Sequence, residues 1–182
     1  MKKVAVLFSG SGTNLKYILE NLHNKDIEVV LALTNNPNAS GIKYAKEYNI
    51  PLIIEDSKSY TNRENFDKTI VKHIKKSGAE LSILAGFMRI LTSNFTNEIK
   101  AINLHPSLLP RHKGLNAIER SYEDNYKDGG VTVHYVTSEL DGGSIIIQKS
   151  IDKEGLSFKE YFNKIRIIEK EALKAGILEA IK

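Results

Sequence analysis

Asn103 and His105 stand two residues apart in Ala101-Ile102-Asn103-Leu104-His105-Pro106. On extended backbone, side chains two apart project to the same side. An amide that can donate to an oxyanion and an imidazole that can handle a proton, held together at the carboxyl end of a strand, make a pair suited to acyl transfer. The same residues also fit a strand-end histidine beside a Pro-rich turn, since Pro106 and Pro110 follow. A carboxylate that could join them stands at Asp141, in Asp141-Gly142-Gly143. Asp-Gly is a common hairpin turn, but the link from Thr137 to Gly143 is longer than a tight hairpin requires and could carry a carboxylate over the sheet.

A second candidate is Ser9-Gly10-Ser11-Gly12-Thr13-Asn14, between an apolar run and a helical pattern. Glycines let backbone approach an anion, and the amides at a helix start favour negative charge. The glycines could equally serve a tight turn. A dinucleotide fingerprint would need a third glycine where Leu15 stands, and the Gly-Lys-Ser/Thr of a Walker loop is absent, which leaves a single phosphate as the better ligand. On the last helix Phe158, Phe162, Ile165 and Ala172 mark an apolar stripe in which Glu169 also lies, either at the rim of the core or facing a polar ligand. The histidines, His23, His73, His105, His112 and His134, show no metal-ligand spacing, so no metal is expected.

The elements that must position these residues alternate between short β-branched runs and helical patterns, the signature of an α/β fold with an open, mostly parallel sheet covered by helices on both faces. Val4–Phe8 is unbroken apolar sequence, as in a strand buried on both faces. The spacing of Leu15, Ile18, Leu19 and Leu22 predicts a helix from Thr13, and strand two spans Ile27–Leu33. A helix over Ile42–Tyr48, a strand at Leu52–Ile54, and a helix capped by Asn62 and running through Ile74 come next. Strands at Leu81–Ala85 and Ala101–Leu104 follow, with a helix within Asn116–Asn125. After Gly129-Gly130, the runs Val131–Val136 and Ser144–Gln148 are close enough to pair antiparallel at one edge. A helix over Ser157–Ile181 ends the chain. No repeat or linker divides residues 1–182, so one domain is expected.

Composition narrows the class of partner. With 41% hydrophobic and 26% charged residues the chain has the make-up of a globular protein, and no apolar run approaches the roughly 20 residues of a membrane helix. Two lysines precede Val4–Phe8, but that run is too short for a secretory signal. The absence of cysteine excludes disulfides and fits a reducing compartment. A net charge of +4 suits a substrate carrying phosphate or carboxylate, yet the lysines are interleaved with acids, and no basic stripe with stacking aromatics points to nucleic acid.

Together these segments resemble the small, folate-dependent phosphoribosylglycinamide formyltransferase family. The resemblance rests on Ser9–Asn14, Ala85-Gly86-Phe87-Met88-Arg89-Ile90-Leu91, Asn103–Pro110, Val131–Val136 and Leu140–Gly143, in the family's order. It implies an open α/β sheet and transfer of a formyl group from 10-formyltetrahydrofolate to the glycinamide amine in purine synthesis. It also implies small-molecule substrates only, no metal, a cytoplasmic location and a monomer or weak homodimer. Residue by residue, Gly12, Thr13 and Asn14 would hold the ribosyl phosphate, and Glu169 the ribose hydroxyls. Met88, Arg89, Ile90 and Leu91, with Asn103, would line the folate site, Arg89 and Arg63 facing its glutamate carboxylates. Asn103, His105 and Asp141 would be catalytic. The chain departs from the family's common pattern in having Thr13 where serine is frequent, and His112 where Tyr or Phe is frequent.

Related formyltransferases acting on methionyl-tRNA or sugar nucleotides carry a further C-terminal domain, and a formyltetrahydrofolate hydrolase an N-terminal one, neither expected at this length. A non-catalytic phosphosugar or nucleotide binder on the same fold is the rival from another class.

Overall fold

The computed structural model describes all 182 residues. Seven strands form one sheet in the order β3-β2-β1-β4-β5-β6-β7. Along the chain the helices and strands are β1 (Lys2–Phe8), α1 (Thr13–Asn21), β2 (Ile27–Thr34), α2 (Ile42–Glu47), β3 (Leu52–Ile54), α3 (Arg63–Ser77), β4 (Leu81–Leu84), α4 (Ser93–Thr96), β5 (Ala101–His105), α5 (Ala117–Glu123), β6 (Asp128–Tyr135), β7 (Ile145–Asp152) and α6 (Phe158–Ala180). The chain forms two compact units, Met1–Ile102 and Asn103–Ala180.

In the first unit β1 pairs in parallel with both β2 and β4, and β2 with β3. Strand order therefore reverses at β1, and the crevice beyond the carboxyl ends of β1 and β4 is the place where open α/β sheets bind ligands. Val4 to Phe8 are fully buried, which accounts for their unbroken apolar sequence. Leu15 and Ile18 of α1 and Phe66, Ile70 and Ile74 of α3 fill the core at helical spacing. The Asn62 side chain accepts the Asn65 amide and starts α3 where its composition predicts. The short α4 carries too few residues to leave a periodic pattern, and it was not expected.

In the second unit β6 and β7 pair antiparallel. Two expectations need correction. Gly129 and Gly130 lie inside β6, not before it, because both sit where a neighbour leaves no room for Cβ: the Tyr161 hydroxyl against Gly129, and the Lys149 carbonyl against Gly130. On α6 the buried line runs through Tyr161, Ile165, Glu169, Ala172 and Leu173. Phe158 is 39% exposed, so the expected stripe is rotated toward Tyr161, whose ring packs where Gly129 lacks a side chain.

Candidate active site

The loop after β1 is shaped by its backbone. Gly12 has φ +70° at the start of α1, and a Cβ there would lie 2.5 Å from Gly41 Cα, so this position demands glycine on two counts. No side chain caps the helix and its first turn holds no carboxylate, so no acid of that turn offsets the positive end of the α1 dipole. Ser9 ties this loop to those after β2 and β4. Its hydroxyl lies 2.5 Å from Asn35 Oδ1 and accepts the Met88 amide at 2.7 Å, and its amide donates to the Gly86 carbonyl at 3.0 Å. Residues 86–91, expected at a folate site, thus leave the carboxyl end of β4 beside this loop. Met88 and Ile90 are 63% and 50% exposed, an unusual use of large apolar side chains unless something covers them. Leu91 is buried, and Arg89 lays its guanidinium 4.7 Å over the Phe66 ring. The segment is pinned at its end by buried Asp67, which accepts both the amide and the hydroxyl of Thr92 at 2.6 and 2.7 Å.

In the second unit Asn103, His105 and Asp141 come together. Asp141 Oδ2 lies 3.4 Å from His105 Nδ1, and Asp141 Oδ1 lies 3.5 Å from Asn103 Nδ2, across 38 positions of sequence. The loop between β6 and β7 delivers the carboxylate with Asp141 at φ +50°, a left-handed conformation that Asp tolerates better than most residues. The Gly114 amide donates to Asp141 Oδ2 at 2.8 Å and fixes it from the opposite loop. The Asp141 and His105 side chains are each 7% exposed.

The electrostatics give each group a distinct state. Burial pushes the His105 imidazole below its usual value, with His134 and Arg120 adding to the effect; the His112 carbonyl and Asp141 oppose it without reversing it. Burial pushes Asp141 up, but the neighbouring His134 ring, the Gly114 amide that donates to it and the adjacent His105 ring outweigh it and hold the carboxyl below the usual range. Of these the Gly114 amide is the firmest hold, since His134 Nε2 stands 3.6 Å from Asp141 Oδ1. His105 Nε2 meets the His112 carbonyl at 2.8 Å and must be the protonated nitrogen there, because a carbonyl only accepts. Nδ1 is then the nitrogen left to exchange a proton, and it is the one facing Asp141.

The sequence pattern of the formyl transferase family matches residues 2–177. The chain belongs to the formyl transferase family. A solved structure from Campylobacter jejuni, described as a phosphoribosylglycinamide formyltransferase, is 52% identical, with a TM-score of 0.97 over 100% of this chain and 98% of that one. A curated Haemophilus influenzae protein named phosphoribosylglycinamide formyltransferase is 40% identical over 155 residues, 83% of this chain and 73% of its own length. A chicken protein named trifunctional purine biosynthetic protein adenosine-3 is 37% identical over 96% of this chain, which spans only 18% of that protein.

Within this formyl transferase two further expected residues have clear settings. Glu169 is 3% exposed and its two oxygens accept from Arg166 Nη1 at 3.0 and 2.8 Å. Arg63 is exposed at the first position of α3. The sequence reading left His134 out of the site. Its Nδ1 donates to the Tyr135 carbonyl at 2.8 Å, which leaves Nε2 to accept from Asn103 Nδ2 at 3.2 Å. The signal was present: Thr132 and His134 alternate with Val131 and Val133 along a strand, yet all four are buried, and a histidine buried in a strand needs a polar partner.

Proposed function

We propose that this chain transfers the formyl group of 10-formyltetrahydrofolate to the amine of phosphoribosylglycinamide, giving the formylated ribotide and tetrahydrofolate in purine synthesis. The observation that carries the proposal is the meeting of Asn103, His105 and Asp141 around one buried position. Family membership and the names of the relatives support the same reaction.

Before reaction Asp141 is a carboxylate and His105 Nδ1 carries no proton. The glycinamide nitrogen attacks the formyl carbon, and the carbonyl oxygen becomes an oxyanion. Asn103 Nδ2 donates to that oxyanion, a role in which one positioned donor is worth about 3 to 4 kcal/mol of transition-state stabilisation. The proton released by the attacking amine passes to His105 Nδ1, and Asp141 stabilises the imidazolium that forms. As the intermediate collapses, the bond from carbon to the folate nitrogen breaks and the same proton goes to that nitrogen.

Binding roles follow from the two materials of the site. The backbone of Gly12, Thr13 and Asn14 at the start of α1 is assigned to the ribotide phosphate, and Glu169 to the ribose hydroxyls, with Arg166 as its present partner. Exposed Met88 and Ile90, with Leu91 and Asn103, are assigned to the folate, and Arg89 and Arg63 to its glutamate tail. Residues 1–182 are proposed to act as one formyltransferase domain in the cytoplasm, on small molecules alone, as a monomer or weak homodimer. Mixing the protein with 10-formyltetrahydrofolate and phosphoribosylglycinamide and following folate absorbance tests the proposal. Turnover is expected; ribotide binding without folate turnover would instead favour a phosphosugar-binding protein.

A further inference from the structure

One buried ionic cluster in the second unit takes no part in the chemistry above, yet touches it through a single peptide group. Lys153 is 8% exposed, and its ammonium donates to the carbonyls of Ser121, of Tyr122 at 3.2 Å and of Asp124 at 3.0 Å, as well as to Asp124 Oδ1 at 2.5 Å. A cation there meets the carbonyls at the C-terminal end of α5, where the helix dipole favours it. The other Asp124 oxygen, Oδ2, lies 2.6 Å from His112 Nε2. Burial pushes the Asp124 carboxyl up, but its hydrogen bonds with the Lys153 ammonium, the His112 ring and the Tyr126 amide outweigh it and hold the carboxyl below its usual range. The His112 backbone has φ +56°, a left-handed conformation that is strained for an L-residue. In that conformation its carbonyl receives His105 Nε2.

We propose that Asp124 and Lys153 are positioning residues for formyl transfer: they clamp the His112 ring, and through it hold the His112 carbonyl where it fixes which nitrogen of His105 bears the proton. The inference rests on the catalytic role assigned to His105. The strained backbone of His112 needs an anchor, and the ring is bonded on its Nε2 side to a carboxylate whose own place is set by a buried ammonium. Without the clamp, the loop relaxes, Nε2 loses its acceptor, and the two neutral tautomers of His105 become comparable in population. Nδ1 is then protonated part of the time and unable to take the amine's proton. The groups facing His105 are Asp141, His134, Arg120 and the His112 carbonyl; Asp141 and Arg120 are also tied to the loop that carries His112, through the Gly114 amide and the Lys113 carbonyl.

The test uses His112→Leu and Asp124→Asn in the full chain, with two readouts. Nitrogen-15 NMR of the imidazoles is expected to show neutral His105 as the Nε2–H tautomer in the parent and as a mixture in both variants. Turnover is expected to fall roughly ten- to hundredfold, with KM for both substrates within about twofold, and the acid limb of the kcat profile moved to lower pH, because the carbonyl that favours the imidazolium is lost. Asp124→Gln lengthens the side chain without restoring charge and is expected to remain slow, whereas Asp124→Glu restores a carboxylate and recovers part of the rate. An unchanged tautomer and an unchanged acid limb in folded His112→Leu would overturn the proposal. If the parent itself lacks formyl transfer, the assigned reaction fails; the NMR result still decides whether the clamp sets the tautomer.

Discussion

At Ser9–Asn14 the proposed phosphate-binding surface is backbone, held by Gly12 at φ +70° and by the contact with Gly41, with the Ser9 hydroxyl accepting the Met88 amide. At Asn103, His105 and Asp141 the proposed catalytic surface is side chains, two of them bonded to backbone: Asp141 to the Gly114 amide and His105 to the His112 carbonyl. The contrast separates two kinds of tolerance. A site made of amides survives changes of side chain and fails when glycine gains a Cβ. A site made of an amide, an imidazole and a carboxylate fails when one functional group changes, even where shape is kept.

The largest effect is expected from Asp141→Asn, which retains the side chain's size but not its charge. Its kcat should drop by about three orders of magnitude, measured by folate absorbance, with the melting temperature and ribotide binding by calorimetry close to the parent's. Asn103→Ala comes next, at about 100- to 1,000-fold in kcat, since it removes the oxyanion donor; steady-state kinetics at saturating substrates reads it. Gly12→Ala should act on the other region and the other parameter. It meets Gly41 and a positive φ, so it is expected to raise the KM for the ribotide at least tenfold and to lower stability by roughly 1 to 3 kcal/mol, read by kinetics and denaturant unfolding. A kcat loss with unchanged KM there would erase the proposed division of labour.

A pH series sharpens the same contrast. His105 must accept a proton, and its value in the folded chain lies below the usual one of about 6.5. Turnover should therefore hold as pH falls to about 6.5 and decline only below it, as the folded-state imidazole becomes protonated. The same depression makes His105 contribute stability that is fully present above about 6.5 and lost as pH falls through the folded value, because the unfolded chain binds the proton first. His105→Gln should remove that increment of acid sensitivity, seen as a flatter stability profile between neutral pH and the folded value. The smallest effect is expected for Thr13→Ser, which alters a side chain in a backbone-built loop: ribotide KM should stay within about twofold.

Sequence showed much of this because much of it is local. Val4–Phe8, the Asn62 cap and the alternation of strands and helices are written in periodicity and composition, and the same-side placement of Asn103 and His105 follows from strand geometry. What could not be read depends on partners distant in the chain. Gly129-Gly130 reads as lying before the strand until Tyr161 and Lys149 are seen to occupy the space beside it. The spacing of Phe158, Phe162, Ile165 and Ala172 puts the α6 stripe on the two phenylalanines, and only packing selects Tyr161. His134 and His112 look like ordinary members of a strand and a loop; their roles come from Asn103 in one case and Asp124 in the other.

The central claim is that Asn103, His105 and Asp141 act as one unit on a single formyl carbon, and a double-mutant cycle tests it most directly. Single-turnover formyl transfer would be measured for Asp141→Asn, His105→Gln and the pair together, with each variant's folding verified by thermal unfolding. The account predicts that the double variant is about as slow as the slower single one, because a unit broken once has little left to lose. Losses that multiply would contradict it, showing that the two residues act independently and that their proximity is not the source of catalysis.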